Sequence, residues 1–230
     1  MIGNKPKLSV CVPTHGMKDG EIFFKRLLDS LWSQSFQDFE IVITDNSDDN
    51  IIYDICEYYK TGIRYIRNSV KGMAPNTNEA IIQSKGEIIK ILYMDDFMAN
   101  DHALEVLIGA FQGQWLVSGC IHTMRKDRIN NGYWFDPHIP EYNDEIHLGK
   151  NTIGSPSVLA IKNDNPLLFD ESMTWLLDCD LYKRYYEKYG EPTILKDINV
   201  VIGLHSGQAT HLLSDELKMD EYKYISNKYV

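Results

Sequence analysis

Residues Ile88 to Met98 read IIKILYMDDFM. Six of the first seven are apolar or aromatic, which is the composition of a strand buried on both faces, and the run ends on two adjacent carboxylates, Asp95 and Asp96. Neighbouring like charges repel, and the cost rises where water is partly excluded. The pattern therefore calls for something positive at that strand end: a metal ion, a basic side chain, or failing those, water.

Working outward, the preceding residues alternate between two periods. KLSVCVPT (Lys7 to Thr14) reads as a strand, and EIFFKRLLDSLWSQ (Glu21 to Gln34) as a helix with Phe24, Leu27, Leu28 and Leu31 on its core face. FEIVITD (Phe39 to Asp45) is the next strand, followed by a helix from Ile51 to Lys60, a short strand IRYIR (Ile63 to Arg67) and a helix from Pro75 to Ser84. This βαβαβαβ order predicts an α/β protein with a Rossmann-like, mostly parallel central sheet flanked by helices. Ligands of such sheets bind at the C-terminal strand edge. Three strand ends carry polar residues there: Thr14 with His15, Asp45 to Asp49, and Asp95 with Asp96.

Further on, QWLVSGCIHT (Gln114 to Thr123) reads as a strand, and residues 124–156 as a long irregular loop. SVLAIK (Ser157 to Lys162) predicts a strand, DCDLYKRYYEKYG (Asp178 to Gly190) a helix stopped by glycine, and INVVIGLH (Ile198 to His205) a last strand. The polar tail from Ser214 reads as a surface helix or a frayed end.

Composition narrows the function classes. A chain of 230 residues with 43% hydrophobic content suffices for one substantial core, so one domain is expected. The formal net charge of -10 argues against nucleic acid as a partner. Four cysteines, Cys11, Cys56, Cys120 and Cys179, form no CxxC pair and most sit in apolar settings, as reduced core thiols of a cytoplasmic protein do. No apolar stretch follows MIGNKPK and no window approaches the roughly 18 to 20 apolar residues of a spanning helix, so a soluble protein is expected, with any membrane contact peripheral.

Three segments in order carry a resemblance. LSVCVPTHG is similar to a first strand ending in a Pro-Thr pair; QSFQDFEIVITDNSDDN resembles the pattern Q.f.dfEiiivDdgS.D; and NSVKGMAPNTNEAIIQSKGEIIKILYMDD resembles N.G.s.aRN.gi..a.GeyiafLDsDD. These are patterns of the family 2 glycosyltransferases, inverting enzymes with the GT-A fold. Later segments match as well: IGSPSVLAIK looks like the glycine loop before the acceptor side, FDESMTWLLDCDLYKR like the segment with the catalytic base, and GLHSGQATH like the C-terminal histidine motif. Two positions depart from the pattern. The first Asp of the usual Asp-x-Asp is Tyr93 or Met94, depending on the anchor, and the Arg before Asn78 is Thr77.

The resemblance implies a single glycosyltransferase domain over residues 1–230, with a nucleotide-sugar half (1–122), an acceptor and catalytic half (123–211) and a tail (212–230). It implies an inverting transfer from a nucleoside-diphosphate sugar, a UDP-sugar, to a hydroxyl on a glycan or lipid-linked saccharide in polysaccharide biosynthesis. Asp178 matches the general base; its other reading is a helix-capping carboxylate, with Asp180 and Glu171 next in line as base. Pro13, Thr14, Asp45, Asn78, Asp95, Gly154 and Ser155 fall on donor-binding positions. Mn2+ or Mg2+ is implied at Asp96, Asp95 and His205, with Asp96 favoured as the direct ligand and His211 as the rival histidine. Trp175, Trp134 and Tyr133 are candidates to stack on sugar rings, or to serve as packing. The missing first Asp keeps a second function in view, a catalytically inactive relative that binds a nucleotide sugar or glycan. A nucleotidyltransferase or dinucleotide-binding enzyme is disfavoured, because neither GxGxxG nor GxxxxGK[ST] occurs.

Overall fold

The computed structural model describes residues 5–59, 62–126 and 133–229. The strands are β1 (Leu8–Thr14), β2 (Phe39–Asp45), β3 (Ile63–Arg67), β4 (Ile88–Ile91), β5 (Phe97–Met98), β6 (Trp115–Thr123), β7 (Phe135–His138), β8 (Leu159–Lys162) and β9 (Thr193–Gly203). The helices are α1 (Gly20–Trp32), α2 (Ile51–Tyr59), α3 (Met73–Gln83), α4 (Ala103–Ala110), α5 (Leu177–Tyr189), α6 (Ala209–Leu212) and α7 (Asp215–Lys228). Lys60, at the end of the expected second helix, and residues 127–132 of the expected loop lie outside the described residues.

β1, buried along its whole length, runs parallel to β2 on one side and to β4 on the other, and β2 runs parallel to β3. The path steps from β1 outward to β3 and then returns to the far side of β1 at β4, so the strand order reverses beside β1. A crevice opens at the carboxyl ends of the strands at such a point. β8 is antiparallel to β4, and β6 is antiparallel to β8, so β6 points the same way as β4; β9 is parallel to β6. The ends of β1, β2, β4, β6 and β9 therefore meet at one edge of a mixed, mostly parallel sheet. One hydrophobic core runs through both halves and takes in Ile225 of α7. The expected core face of α1 is buried as predicted, with Phe24, Leu27, Leu28 and Leu31 all fully enclosed.

Several boundaries differ from expectation for local reasons. The stretch Ile88 to Met98 is not one strand. β4 stops at Ile91, a turn closes with Asp96 N–H donating to the Tyr93 carbonyl (2.9 Å), and Phe97 and Met98 then pair with Val201 and Val200 of β9. The carboxylate pair thus lies in a crossover between two parts of the sheet. The described residues between 124 and 156 are less irregular than their composition implies: β7 pairs with β6, and Ile146–Leu148 forms a 3-10 turn. Ser157 lies in a 3-10 turn (Pro156–Val158) ahead of β8, and β9 begins at Thr193. The apolar pattern gave no sign of α4, whose sequence ALEVLIGA is too uniformly apolar to show a helical face. The tail is a capped helix. Ser214 Oγ accepts the Leu217 N–H (3.2 Å), and Glu221 and Ile225 are buried beneath α7.

Gly203, at the end of β9, is where the crossover and the last strand touch. A Cβ at this position would run into the Asp95 carbonyl oxygen and would lie 2.9 Å from the Arg26 guanidinium. Gly203→Ala is therefore expected to lower stability by about 1–3 kcal/mol through overpacking against backbone, read as a lower denaturant midpoint at unchanged slope. An unchanged midpoint would show that the crossover yields freely.

Candidate active site

The strand ends open into a cleft of about 870 Å³, a volume in the range of small-molecule sites. Asp95, Asp96 and Tyr93 lie along it together with Pro13, Asp178 and His205.

The two carboxylates divide by direction. Asp96 is only 2% exposed, and its Oδ1 accepts the Gly203 N–H (2.9 Å). Burial, and then the charge of Asp95, push its carboxyl well above the usual range, while Ser157, the Gly203 amide and Arg26 pull the other way. Asp95 is half-buried, and its Oδ2 is 3.0 Å from His205 Nε2. Gly207 N–H donates to His205 Nδ1 (3.1 Å), so the ring proton resides on Nε2 and is donated to Asp95. The Phe23 ring stacks on the same imidazole at 4.9 Å. Below the turn, Arg26 donates to the Asp95 carbonyl and to the Arg125 carbonyl (2.6 Å), with its guanidinium 4.4 Å from the Phe97 ring centre. Lys90 lies further back, fully buried; it donates to the Ile91 and Ser157 carbonyls, and burial lowers it to about 7. The partners of the carboxylate pair are thus an imidazole N–H in front and the basic side chains Arg26 and Lys90 behind. Both carboxylates line the cleft, but Asp95 is the one that meets His205, while Asp96 is held by the Gly203 amide.

On the donor side, three of the expected positions are absent from the cleft lining. Thr14 is buried and gives its hydroxyl to Asp45 Oδ1 (3.1 Å). Asp45 is buried too: its Oδ2 accepts from Tyr65 OH (2.7 Å) and lies 3.4 Å from Arg67, and its Oδ1 accepts the Ser47 N–H (2.9 Å). Neither lines the cleft; they form the layer beneath it that fixes the loop after β2. Asn78 also faces elsewhere. Its Nδ2 donates to the Phe169 carbonyl (3.0 Å) and Glu171 Oε1 (2.9 Å), and its Oδ1 accepts the Phe169 N–H (2.8 Å). The helix turn that places it in the family pattern points its amide at the second half of the chain, where it acts as a tie. Pro13 does reach the wall, beside Asn46, Ser47 and Lys71. The Ser47 hydroxyl is buried there and has no protein partner among the described residues.

On the other side, Gly154 and Ser155 line the cleft as expected. Gly154 sits at φ +110°, a backbone region that favours glycine, and its carbonyl accepts from Tyr182 OH (3.1 Å). Asn151, which the sequence reading passed over, organises this loop. Its Oδ1 accepts the Ile153 and Gly154 N–H groups (3.1 and 2.9 Å), and its Nδ2 donates to Asp178 Oδ2 (2.8 Å). An Asn three residues before a glycine is a turn signal that could have found it. Asp178, the second residue of α5, is half-buried, with Oδ1 accepting the Cys179 N–H (2.8 Å). Burial raises its carboxyl to about 6, against the opposing pull of the Cys179 and Asn151 hydrogen bonds. Its rivals are engaged elsewhere. Asp180 is buried against Arg184 (2.7 Å), Lys228 (2.8 Å) and Tyr229 OH (2.7 Å), and Glu171 accepts from Asn78. His211 is exposed and off the cleft, whereas Trp175 lines it; Trp134 packs edge-on against Phe97, and Tyr133 lies beside Arg125.

No set of three or more His, Cys, Asp or Glu side chains among the described residues is placed to enclose a metal by itself. Asp95 and His205 remain as a pair of donors, one oxygen and one nitrogen, a set that suits Mn2+ better than Mg2+.

Residues 9–183 match Glycosyl transferase family 2. Among curated proteins, the chain is 25% identical to a chondroitin synthase of Escherichia coli over 95% of its own length and 34% of that protein. It is 27% identical to an uncharacterized glycosyltransferase of Haemophilus influenzae over 81% of its own length and 63% of that protein. The chain thus spans from about a third to under two thirds of these relatives. Its fold is also that of S. aureus TarS 1-349 in complex with UDP-GlcNAc (TM-score 0.71, 21% identity, 96% of this chain and 66% of that one). A mannosyltransferase of Pyrobaculum calidifontis, solved with GDP-Man and Mn2+, shares it too (TM-score 0.61, 14% identity, 89% and 59% covered). Sequence match, fold and a cleft at the strand-order reversal agree: the chain belongs to glycosyl transferase family 2.

Proposed function

We propose that the chain transfers a sugar, with inversion, from a UDP-sugar to a hydroxyl of a glycan or lipid-linked saccharide, in polysaccharide biosynthesis in the cytoplasm. The observation that carries this reading is Asp178: a cleft carboxylate raised to about 6, hydrogen-bonded on both oxygens yet open to the cleft. A base in that range is mostly ionised at neutral pH and still able to take a proton in the transition state. As the acceptor oxygen bonds to the anomeric carbon, its proton moves to Asp178. The bond from that carbon to the diphosphate breaks on the opposite face, and its electron pair leaves with the diphosphate. Asn151 and the Cys179 amide aim the carboxylate. UDP as the nucleotide is supported by TarS, which shares the fold and has been solved with UDP and with UDP-GlcNAc.

Pro13, Ser47 and Lys71 provide the donor wall, and Gly154 and Ser155 border the transferred sugar. Asp95 and His205 would hold a divalent cation, which would supply positive charge against that developing on the departing diphosphate. For His205 to take part, its Nε2 proton must leave, so binding of the ion and of that proton are mutually exclusive. Reduced thiols fit the cytoplasm, since all four cysteines are free and buried. No helix among the described residues is long and apolar enough to cross a membrane.

UDP with Mn2+ is expected to raise the melting temperature; at a hundredfold excess over Kd the added stability is about 2.7 kcal/mol. Equal stabilisation in excess chelator would remove the metal from donor binding. Asp95→Ala should cost more of this metal-dependent affinity than Asp96→Ala. The latter should instead reduce stability by about 1–3 kcal/mol, because it strands the buried Gly203 amide. Titration calorimetry and melting of the two variants separate these effects, and the opposite ranking would return the ligand role to Asp96.

Asp178→Asn keeps the shape but cannot accept a proton. Turnover should fall by about two to four orders of magnitude with UDP affinity intact. The wild-type rate should rise with pH through about 6, as the base loses its proton, and that rise should vanish in the variant. Retained turnover would point to a capping role, since Asn caps helices as well as Asp does.

A further inference from the structure

α7 is separated in sequence from every residue of the cleft wall near the base, yet it holds that wall. Glu221, buried at 7% exposure, accepts three successive backbone N–H groups: Thr174 on Oε1 (2.6 Å), and Trp175 and Leu176 on Oε2 (2.8 and 3.0 Å). A run of consecutive amides of this kind is a concave anion site, here filled by a side chain of the protein itself. Leu176 is the residue from which α5 starts, it offers no side-chain cap, and its carbonyl accepts the Asp180 N–H (3.0 Å). Asp178 lies two residues further on. The same helix ties both flanks of this segment: Lys228 reaches Asp170 (2.7 Å) and Asp180 (2.8 Å), Tyr224 OH donates to Asp170 (3.0 Å), and Tyr229 OH donates to Asp180 (2.7 Å).

We infer that Glu221 is a positioning residue for transfer: it sets the turn Thr174 to Leu176, and with it the direction of Asp178 and the placement of Trp175 on the cleft wall. This inference rests on Asp178 being the base. The carboxylate suits the task because it is short of alternatives: Lys218 and Lys228 of its own helix point to Trp175 and to the two aspartates. Its charge is therefore spent on the three amides, and each amide would otherwise be an unmet donor at a partly buried turn. A helix start with no cap of its own, fixed from a distant segment, makes base geometry depend on α7. The donor side does not share that dependence, because Pro13 belongs to β1, Ser47 and Lys71 belong to the loops after β2 and β3, and none of them bonds to α7.

The two sides can be read apart. Glu221→Gln retains the length but presents an N–H2 to one of the amides. It is expected to lower kcat by about 10- to 100-fold, with UDP affinity and donor KM within twofold of wild type. Glu221→Asp keeps two accepting oxygens on a shorter arm and should recover part of the loss. Lys228→Met, near the surface, loosens the same strap with Glu221 intact and should show a smaller loss with the same split, which keeps the test available if the Gln variant does not fold. Wild-type kcat in Glu221→Gln, or a loss of UDP affinity in proportion to kcat, would overturn the positioning role. Asp178→Asn measured alongside separates the two ideas. If it is inactive while Glu221→Gln is normal, only the inference fails; if it is active, the base assignment fails and the inference with it.

Discussion

Two carboxylates in succession, at the point where the chain leaves β4 and crosses to β5, form the constraint on which the rest of the cleft depends. Asp95 and Asp96 cannot share one environment without a large electrostatic cost, so the turn sends them in different directions. Asp96 goes inward to the Gly203 amide, which requires the end of β9 to approach the turn backbone, and only a residue without Cβ permits that approach. Asp95 goes outward to His205, two residues beyond Gly203. One crossover thereby fixes the end of the last strand, the histidine loop and the charge at the floor of the cleft. Arg26 supports the turn from beneath through its backbone carbonyl, so its charge is near the pair without neutralising the oxygen that faces the cleft.

The wall that carries Asp178 is built on another principle. Its carboxylate is raised by burial, and the hydrogen bonds it receives limit that rise without cancelling it. A base needs this balance: full exposure would leave it too weak to accept a proton, and a buried ion pair of the kind that holds Asp180 would leave it committed. The contrast between Asp178 and Asp180, two residues apart on one helix, is the clearest case here of position on a helix deciding chemistry. A step of two places the side chains on different faces, one toward the cleft and Asn151, the other toward Arg184, Lys228 and Tyr229.

How much of this is legible in the sequence follows from the range of the interactions. The strands β1, β2 and β3 announce themselves within two residues, because their apolar runs and bounding turns are local signals, and so does the edge at which they end. β5 does not: a two-residue strand is defined by its pairing with β9, about which IIKILYMDDFM says nothing. The directions of the Thr14, Asp45 and Asn78 side chains are hidden for the same reason. A motif gives a position in the chain, while the direction of a side chain depends on partners such as Tyr65, Arg67 and Phe169 that the motif does not contain. Asn151 and Glu221 belong to no motif, and each is defined by what it reaches across the fold.

The family match ends at residue 183, inside α5. It takes in Asp95 and Asp178, but not His205 or Glu221, the residues that face or support them from β9's end and from α7. Asp95, and the turn that leads into Asp178, are therefore each contacted by a residue from beyond that match. Under the proposed mechanism, a substitution in that remainder changes the aim of Asp178 or the setting of Asp95 without touching the motifs.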